Sequence, residues 1–98
     1  MHKIAYLQKA LDDLDEIHMY IANDNPTAAD KVISSITNAI DRLKTLPFTG
    51  SPVSERLNIS GDYRMIIVKP HLIFYRVTKT EVFVYRILHE RRYHNSLL

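Results

Sequence analysis

Cysteine is absent from the 98 residues, which rules out a disulfide framework and a cysteine-based zinc site and suits a reducing compartment. Glycine and proline are scarce, at two and four residues, while 46% of the chain is hydrophobic. That balance argues against disorder and for one ordered domain over residues 1–98. No segment approaches the roughly 20 apolar residues that span a bilayer. Residues 1–7 turn polar at Gln8, too early for the apolar core of a signal peptide. The expected location is cytoplasmic, with no membrane contact, and the sequon-like Asn58-Ile59-Ser60 is then a chance match. His2, His18, His71, His89 and His94 are scattered, with no pair at metal-ligand spacing, so neither a metal nor a cofactor is expected.

Charge is unevenly placed. The net value is +2 and the pI about 9.0, but Arg64, Lys69, Arg76, Lys79, Arg86, Arg91 and Arg92 face only Glu81 and Glu90 in residues 63–98. Acidic residues concentrate earlier, at Asp12, Asp13, Asp15, Glu16, Asp24, Asp30 and Asp41. A basic C-terminal third fits nucleic acid or an acidic protein segment. Asp12, Asp13, Asp15 and Glu16 read as the solvated face of a first helix, near its positive end.

Periodicity predicts an α+β fold. A short N-terminal strand around Ile4 and Tyr6 precedes a helix over about 8–23, with Leu11, Leu14, Ile17 or His18, and Ile21 as its apolar stripe. Asn25-Pro26 is an N-cap followed by a proline suited to the first helical turn. It opens a second helix whose stripe is Ala29, Val32, Ile33, Ile36, Ile40, Leu43 and Leu46. The two make an antiparallel helical hairpin. Pro47, Gly50 and Pro52 end it, and the stretch to Asp62 reads as a loop with room for one helical turn. Residues 63–68, 72–78 and 82–88 then alternate as a three-stranded antiparallel meander. Both strand faces are apolar, so the helices cover one face and something else covers part of the other. A two-residue turn at Lys79 and Thr80 would put Arg76 and Arg86 on opposite faces. A three-residue loop including Glu81 would put them on the same face.

Chemistry concentrates in Leu72-Ile73-Phe74-Tyr75-Arg76-Val77 and Val82-Phe83-Val84-Tyr85-Arg86-Ile87-Leu88-His89. An arginine among apolar strand residues is costly to bury alone, so some of these guanidinium groups should meet a polar groove, a partner or a phosphate. Arg64, Arg76 and Arg86 read either as edge residues whose stems cover apolar surface or as contacts to a partner. His71, after Pro70, reads as a solvated turn residue, His89 as a hydrogen-bonded structural residue, and Tyr75 and Tyr85 as packing residues. Arg91-Arg92-Tyr93-His94 puts two cations, a phenol and an imidazole within four residues, and His94 could act as acid or base near neutral pH.

Ala10-Leu11-Asp12-Asp13-Leu14-Asp15-Glu16-Ile17, Asn25-Pro26-Thr27-Ala28-Ala29, Leu46-Pro47 with Gly50, Tyr63-Arg64, and the two strands with their basic tail follow one another in the order of a known family. The whole chain resembles the RelE/ParE superfamily of toxins from type II toxin-antitoxin modules. The resemblance implies a helical hairpin on a largely antiparallel sheet and a toxin silenced by a cognate antitoxin, whose complex with it can bind operator DNA through the antitoxin. It also implies that an antitoxin segment covers an apolar sheet face. The superfamily divides into ribosome-dependent mRNA endonucleases and ParE-like poisons of DNA gyrase.

Cleavage by a 2′-hydroxyl needs a base, an acid and cations for the phosphorane-like charge. By resemblance, Arg64 occupies one basic position of the nuclease branch, but Ile66 and Leu72 stand where that branch carries basic residues. Those departures favour the ParE-like branch, whose tail ends in Leu-Leu as here at Leu97-Leu98. The expected function is therefore gyrase poisoning, with Arg64, Arg76, Arg86, His89, Arg91 and Arg92 as target or antitoxin contacts. The alternative is a ribosome-dependent endoribonuclease resembling YoeB, with Arg64, Arg91, Arg92, Tyr93 and His94 catalytic. A degenerate toxin that keeps only antitoxin binding is a third reading.

Overall fold

Strand alternation gives way to helical spacing within the first eight residues, and the order of elements follows from that. A computed structural model describes residues 1–53 and 62–92. Strand β1 (Lys3–Tyr6) leads through an extended Leu7 into helix α1 (Gln8–Ala22). α1 buries Ala10 and Asp13 and packs Leu14 and Ile17 on the core. Its stripe is rotated from the expected one: Leu11 is 41% exposed, and Ala10, small enough to bring the helix close to the sheet, takes the inner position.

Helix α2 (Pro26–Asp41) starts as its sequence predicts. The Ala28 N–H donates to Asn25 Oδ1 at 3.0 Å, and Pro26 sits where no N–H is needed. The His18 imidazole meets Asp30 across the hairpin at 3.0 Å. α2 buries Ala29, Ile36, Ala39 and Ile40, and a 3-10 turn (Arg42–Lys44) adds Leu43. The expected stripe ends there. The tighter turn and the following Pro47 swing Leu46 outward, where it is 63% exposed.

Five strands form one sheet in the order β1-β5-β4-β3-β2. Strands β3 (Arg64–Val68), β4 (His71–Val77) and β5 (Glu81–His89) are the expected antiparallel meander. β1 lies parallel to β5, from Lys3 opposite Glu81 to Tyr6 opposite Val84. Strand β2 (Ser51–Pro52) corrects the loop expectation by pairing with Met65 and Arg64. Two residues are too few to show alternation, and its proline is tolerated only because the strand is an edge. The helical turn expected before Asp62, and Asn58-Ile59-Ser60, fall in 54–61, outside the described residues.

The helices cover one sheet face through Ala10, Ile36, Ile40, Ile73, Val84 and Ile87. Full burial of each such isoleucine contributes about 1.5–3 kcal/mol. On the other face Leu72, Phe74 and Leu88 pack with Val53, Tyr63 and Met65, so part of that face is covered by this chain itself. The β4–β5 turn is the two-residue alternative, with Thr78 N–H donating to Glu81 O at 2.8 Å. The expected separation of Arg76 and Arg86 is nevertheless overturned, because a bulge pairs Arg86 with Phe74, on the same face as Arg76. Between Phe74 and Tyr75 the register shifts, so Phe74 faces Arg86 while Tyr75 faces Val84. β5 thus carries a bulge at the point where β1 ends. No helix among the described residues is long and apolar enough to cross a membrane.

Candidate functional site

Arg86 is committed inward. Its Nε and Nη2 donate to Asp13 Oδ2 and Oδ1 at 2.9 and 3.1 Å, a two-pronged pair. The Ile87 N–H also donates to Asp13 Oδ2 at 2.9 Å. β1 covers β5 only as far as Val84, so beyond it Asp13 supplies the acceptor that a neighbouring strand would have given. The carboxylate raises the Arg86 pKa further through its hydrogen bonds, against the effect of burial. Asp13 is therefore not part of a solvated face: it is 8% exposed. Its position, three after Ala10 and four before Ile17, was the sequence signal for burial.

Arg64 is also engaged. Its Nη1 donates to Gly50 O at 2.7 Å and reaches Phe48 O at 3.4 Å, and its guanidinium lies 4.9 Å from the centre of the Phe48 ring. Opposite it in the sheet, the buried Tyr75 hydroxyl donates to Pro47 O at 2.8 Å and accepts from Gly50 N–H at 2.9 Å. Burial raises the Tyr75 pKa, although the Gly50 bond and the nearby Arg64 charge oppose the rise. A Cβ on Gly50 would stand 2.6 Å from that hydroxyl and 2.8 Å from Met65 O, so only glycine fits. Sequence reasoning placed Leu46-Pro47 and Gly50 as a motif without the two side chains that hold it.

Arg76 lies on the sheet face away from the helices, its guanidinium 5.3 Å from the centre of the Tyr63 ring. Tyr63 meets Tyr85 edge to face, with centroids 5.1 Å apart. At the opposite end of the meander, His71 and His89 are cross-strand partners whose rings meet edge to face at 5.7 Å. His71 is 4% exposed, correcting the solvated reading, because it is the first residue of β4 and not part of the turn. Burial, and then the neighbouring His89, push its pKa down. His89 Nδ1 accepts from Arg91 N–H at 3.1 Å, and Glu90 N–H donates to Pro70 O at 2.9 Å. These bonds fix the 3-10 turn (Glu90–Arg92) from which the basic tail departs. The Arg91 side chain is exposed. Tyr93 and His94 lie outside the described residues.

Among the described side chains the named arginines do not converge. Arg64 and Arg76 stand at one end of the β3–β4 pair, and His89 and Arg91 at the other, about 13 Å away at 3.3 Å per strand residue. Arg86 is bonded to Asp13 of α1. No cluster of three or more residues able to hold a metal ion occurs among the described residues.

The family described as the ParE toxin of the type II toxin-antitoxin system, parDE, matches residues 4–93. The chain belongs to the ParE toxin family. It is 30% identical to Toxin RelE2 of Caulobacter vibrioides over 92 residues, 94% of this chain and 99% of that one. It is 32% identical to Y4kP of Sinorhizobium fredii over 88 residues, 89% and 86% of the two chains. Its fold matches a chain in the structure of the chromosomal ParDE system from P. aeruginosa with a TM-score of 0.73. The identity there is 25%, over 91% of this chain and 96% of that one. This ParE-family protein is thus the toxin of a type II module, with a cognate antitoxin as its partner.

Proposed function

We propose that this toxin arrests growth by binding DNA gyrase in the cytoplasm, and that binding rather than bond-making is its whole action. The observation that carries the reading is the dispersal of the cations among the described residues. Arg64 is bonded to loop carbonyls and Arg86 to Asp13, while Arg76 and Arg91 sit toward opposite ends of the sheet. A phosphorane-like transition state needs cations preorganised around one phosphate. Basic groups distributed over the molecule, rather than gathered at one point, instead suit contact with a large partner.

Inducible expression with and without the antitoxin, following message integrity and plasmid supercoiling in the same arrested cells, tests this. Altered supercoiling with intact messages is the expected result. Early cuts in translated messages would overturn it and make the 91–94 tail the place to seek catalysis. A second expectation concerns that tail: a soluble Arg91→Ala/Arg92→Ala protein should arrest growth less, and undiminished arrest would remove the tail from the active surface.

A further inference from the structure

The loop between the 3-10 turn and β2 is held more tightly than a connection requires. Leu46 O accepts from the Thr49 hydroxyl at 2.6 Å, Pro47 O from Tyr75, and Phe48 O and Gly50 O from Arg64. The Gly50 N–H is bonded to the same tyrosine. Yet the side chains these bonds position, Leu46 and Phe48, face water at 63% and 62% exposure. Two large apolar groups fixed in solvent on a rigid backbone have the character of preorganised binding anchors, since little ordering entropy remains to be lost when a partner covers them.

The surroundings specify the partner's charge. Residues 45–53 carry no charged side chain. Arg64 lies against Phe48 and makes no ion pair among the described residues. Exposed Arg42 stands one turn before Leu46, whose N–H donates to Arg42 O at 3.1 Å. Lys44 beside it pairs with Asp41. Apolar anchors rimmed by cations match an acidic protein surface with an apolar pocket, whereas a nucleic acid would leave Leu46 without a partner.

We propose that Leu46 and Phe48, rimmed by Arg42 and Arg64, form a docking knuckle for an acidic, pocket-bearing protein segment, and that this segment belongs to the target. The assignment of that target as gyrase rests on the function proposed above. The Leu46→Ser/Phe48→Ser variant changes only exposed side chains, so it should fold as the wild type does, and with the knuckle assigned to the target it should keep antitoxin binding. Ile67→Ser, which removes a 57% exposed apolar residue elsewhere, controls for general surface stickiness.

The experiment compares growth arrest, binding to purified gyrase and binding to the purified antitoxin. The double variant should bind gyrase at least about tenfold more weakly and lose growth arrest, while Ile67→Ser keeps both. Arg42→Glu should weaken binding severalfold, by an amount that shrinks in high salt. Wild-type growth arrest from the double variant overturns the knuckle, as does a loss confined to antitoxin binding. So does a toxin that neither arrests growth nor binds gyrase, or one whose knuckle binds single-stranded RNA instead. If wild type arrests growth without binding gyrase and the double variant does not arrest, the knuckle stands and the gyrase assignment falls.

Discussion

Removing the Asp13 carboxylate takes hydrogen-bond acceptors from two donors at once, the Arg86 guanidinium and the Ile87 N–H. Both side chains are largely buried, at 18% and 9% exposure for Arg86 and Asp13, so Asp13→Ala removes the two-pronged partner of Arg86, though the Glu16 charge still acts on it, and should cost about 1–3 kcal/mol. Arg86→Ala should cost a similar amount. The double variant should cost less than the sum, since the shared hydrogen bonds are lost only once, and urea unfolding of all four proteins measures the coupling. The pair was half legible: an arginine inside an apolar strand demanded a partner, but Asp13 was hidden among Asp12, Asp15 and Glu16, and only its helical register with Ala10 and Ile17 marked it. His71 gives a pH prediction of definite sign. Its folded-state pKa lies below the unfolded value of about 6.5, so the unfolded chain binds the proton more readily. Stability from this site is complete above that pH and is lost as pH falls through the unfolded value towards the folded one. The melting temperature of His71→Leu should therefore fall less than that of wild type between pH 7.5 and 5.5, and parallel curves would assign the acid sensitivity to other groups.

At the scale of elements, the loop into β2 is a unit whose integrity depends on Tyr75, Arg64 and the absence of a side chain at residue 50. Tyr75→Phe keeps the ring in its buried place but leaves Pro47 O and Gly50 N–H without their partner, a loss of about 1–3 kcal/mol. Gly50→Ala forces a Cβ against Met65 O, which is backbone and yields little, and should cost about 1–3 kcal/mol. In both variants amide exchange should speed up at Gly50 and Val53 while the α1–α2 hairpin keeps its protection. Uniform loss across the chain would mean that the loop and core unfold as one unit. The hairpin and meander were legible because cap, proline, period and turn agreed along contiguous stretches. β2 and the bulge in β5 were not, because a two-residue edge strand has no period and a bulge depends on where a distant strand, β1, ends. The turn at Lys79 and Thr80 left two registers open, and the structure takes the one in which Thr78 and Glu81 bond across it.

Across the described residues, charge is unevenly divided between the layers, with Lys9 and Lys31 the cations on an otherwise acidic hairpin. Asp12, Asp15, Glu16, Asp24 and Asp30 are exposed on the helical hairpin, whereas Arg64, Arg76 and Arg91 belong to the sheet and its outgoing turn. The sequence foreshadowed this, because the acidic half forms the helices and the basic third forms the meander, and sheet pairing keeps them as separate layers. The parallel docking of β1 on β5 was not foreseeable from local pattern, yet it ties the first residues to the last strand. His2 N–H bonds Lys44 O, and its imidazole bonds Thr78 O at 3.0 Å. A molecule with one acidic and one basic side should approach an acidic target in a preferred orientation. On the gyrase reading, the association rate should fall about tenfold or more as salt rises from roughly 50 to 500 mM, because screening shortens the steering range to a few ångströms. The dissociation rate should change much less, since the contact, once made, is held by Leu46 and Phe48, whose burial salt does not screen. Stopped-flow binding to gyrase across that range separates the two rates. A salt-independent association rate would mean the charge sorting plays no part in target capture, and a dissociation rate as salt-sensitive as association would shift the holding contact from the apolar knuckle to the arginines.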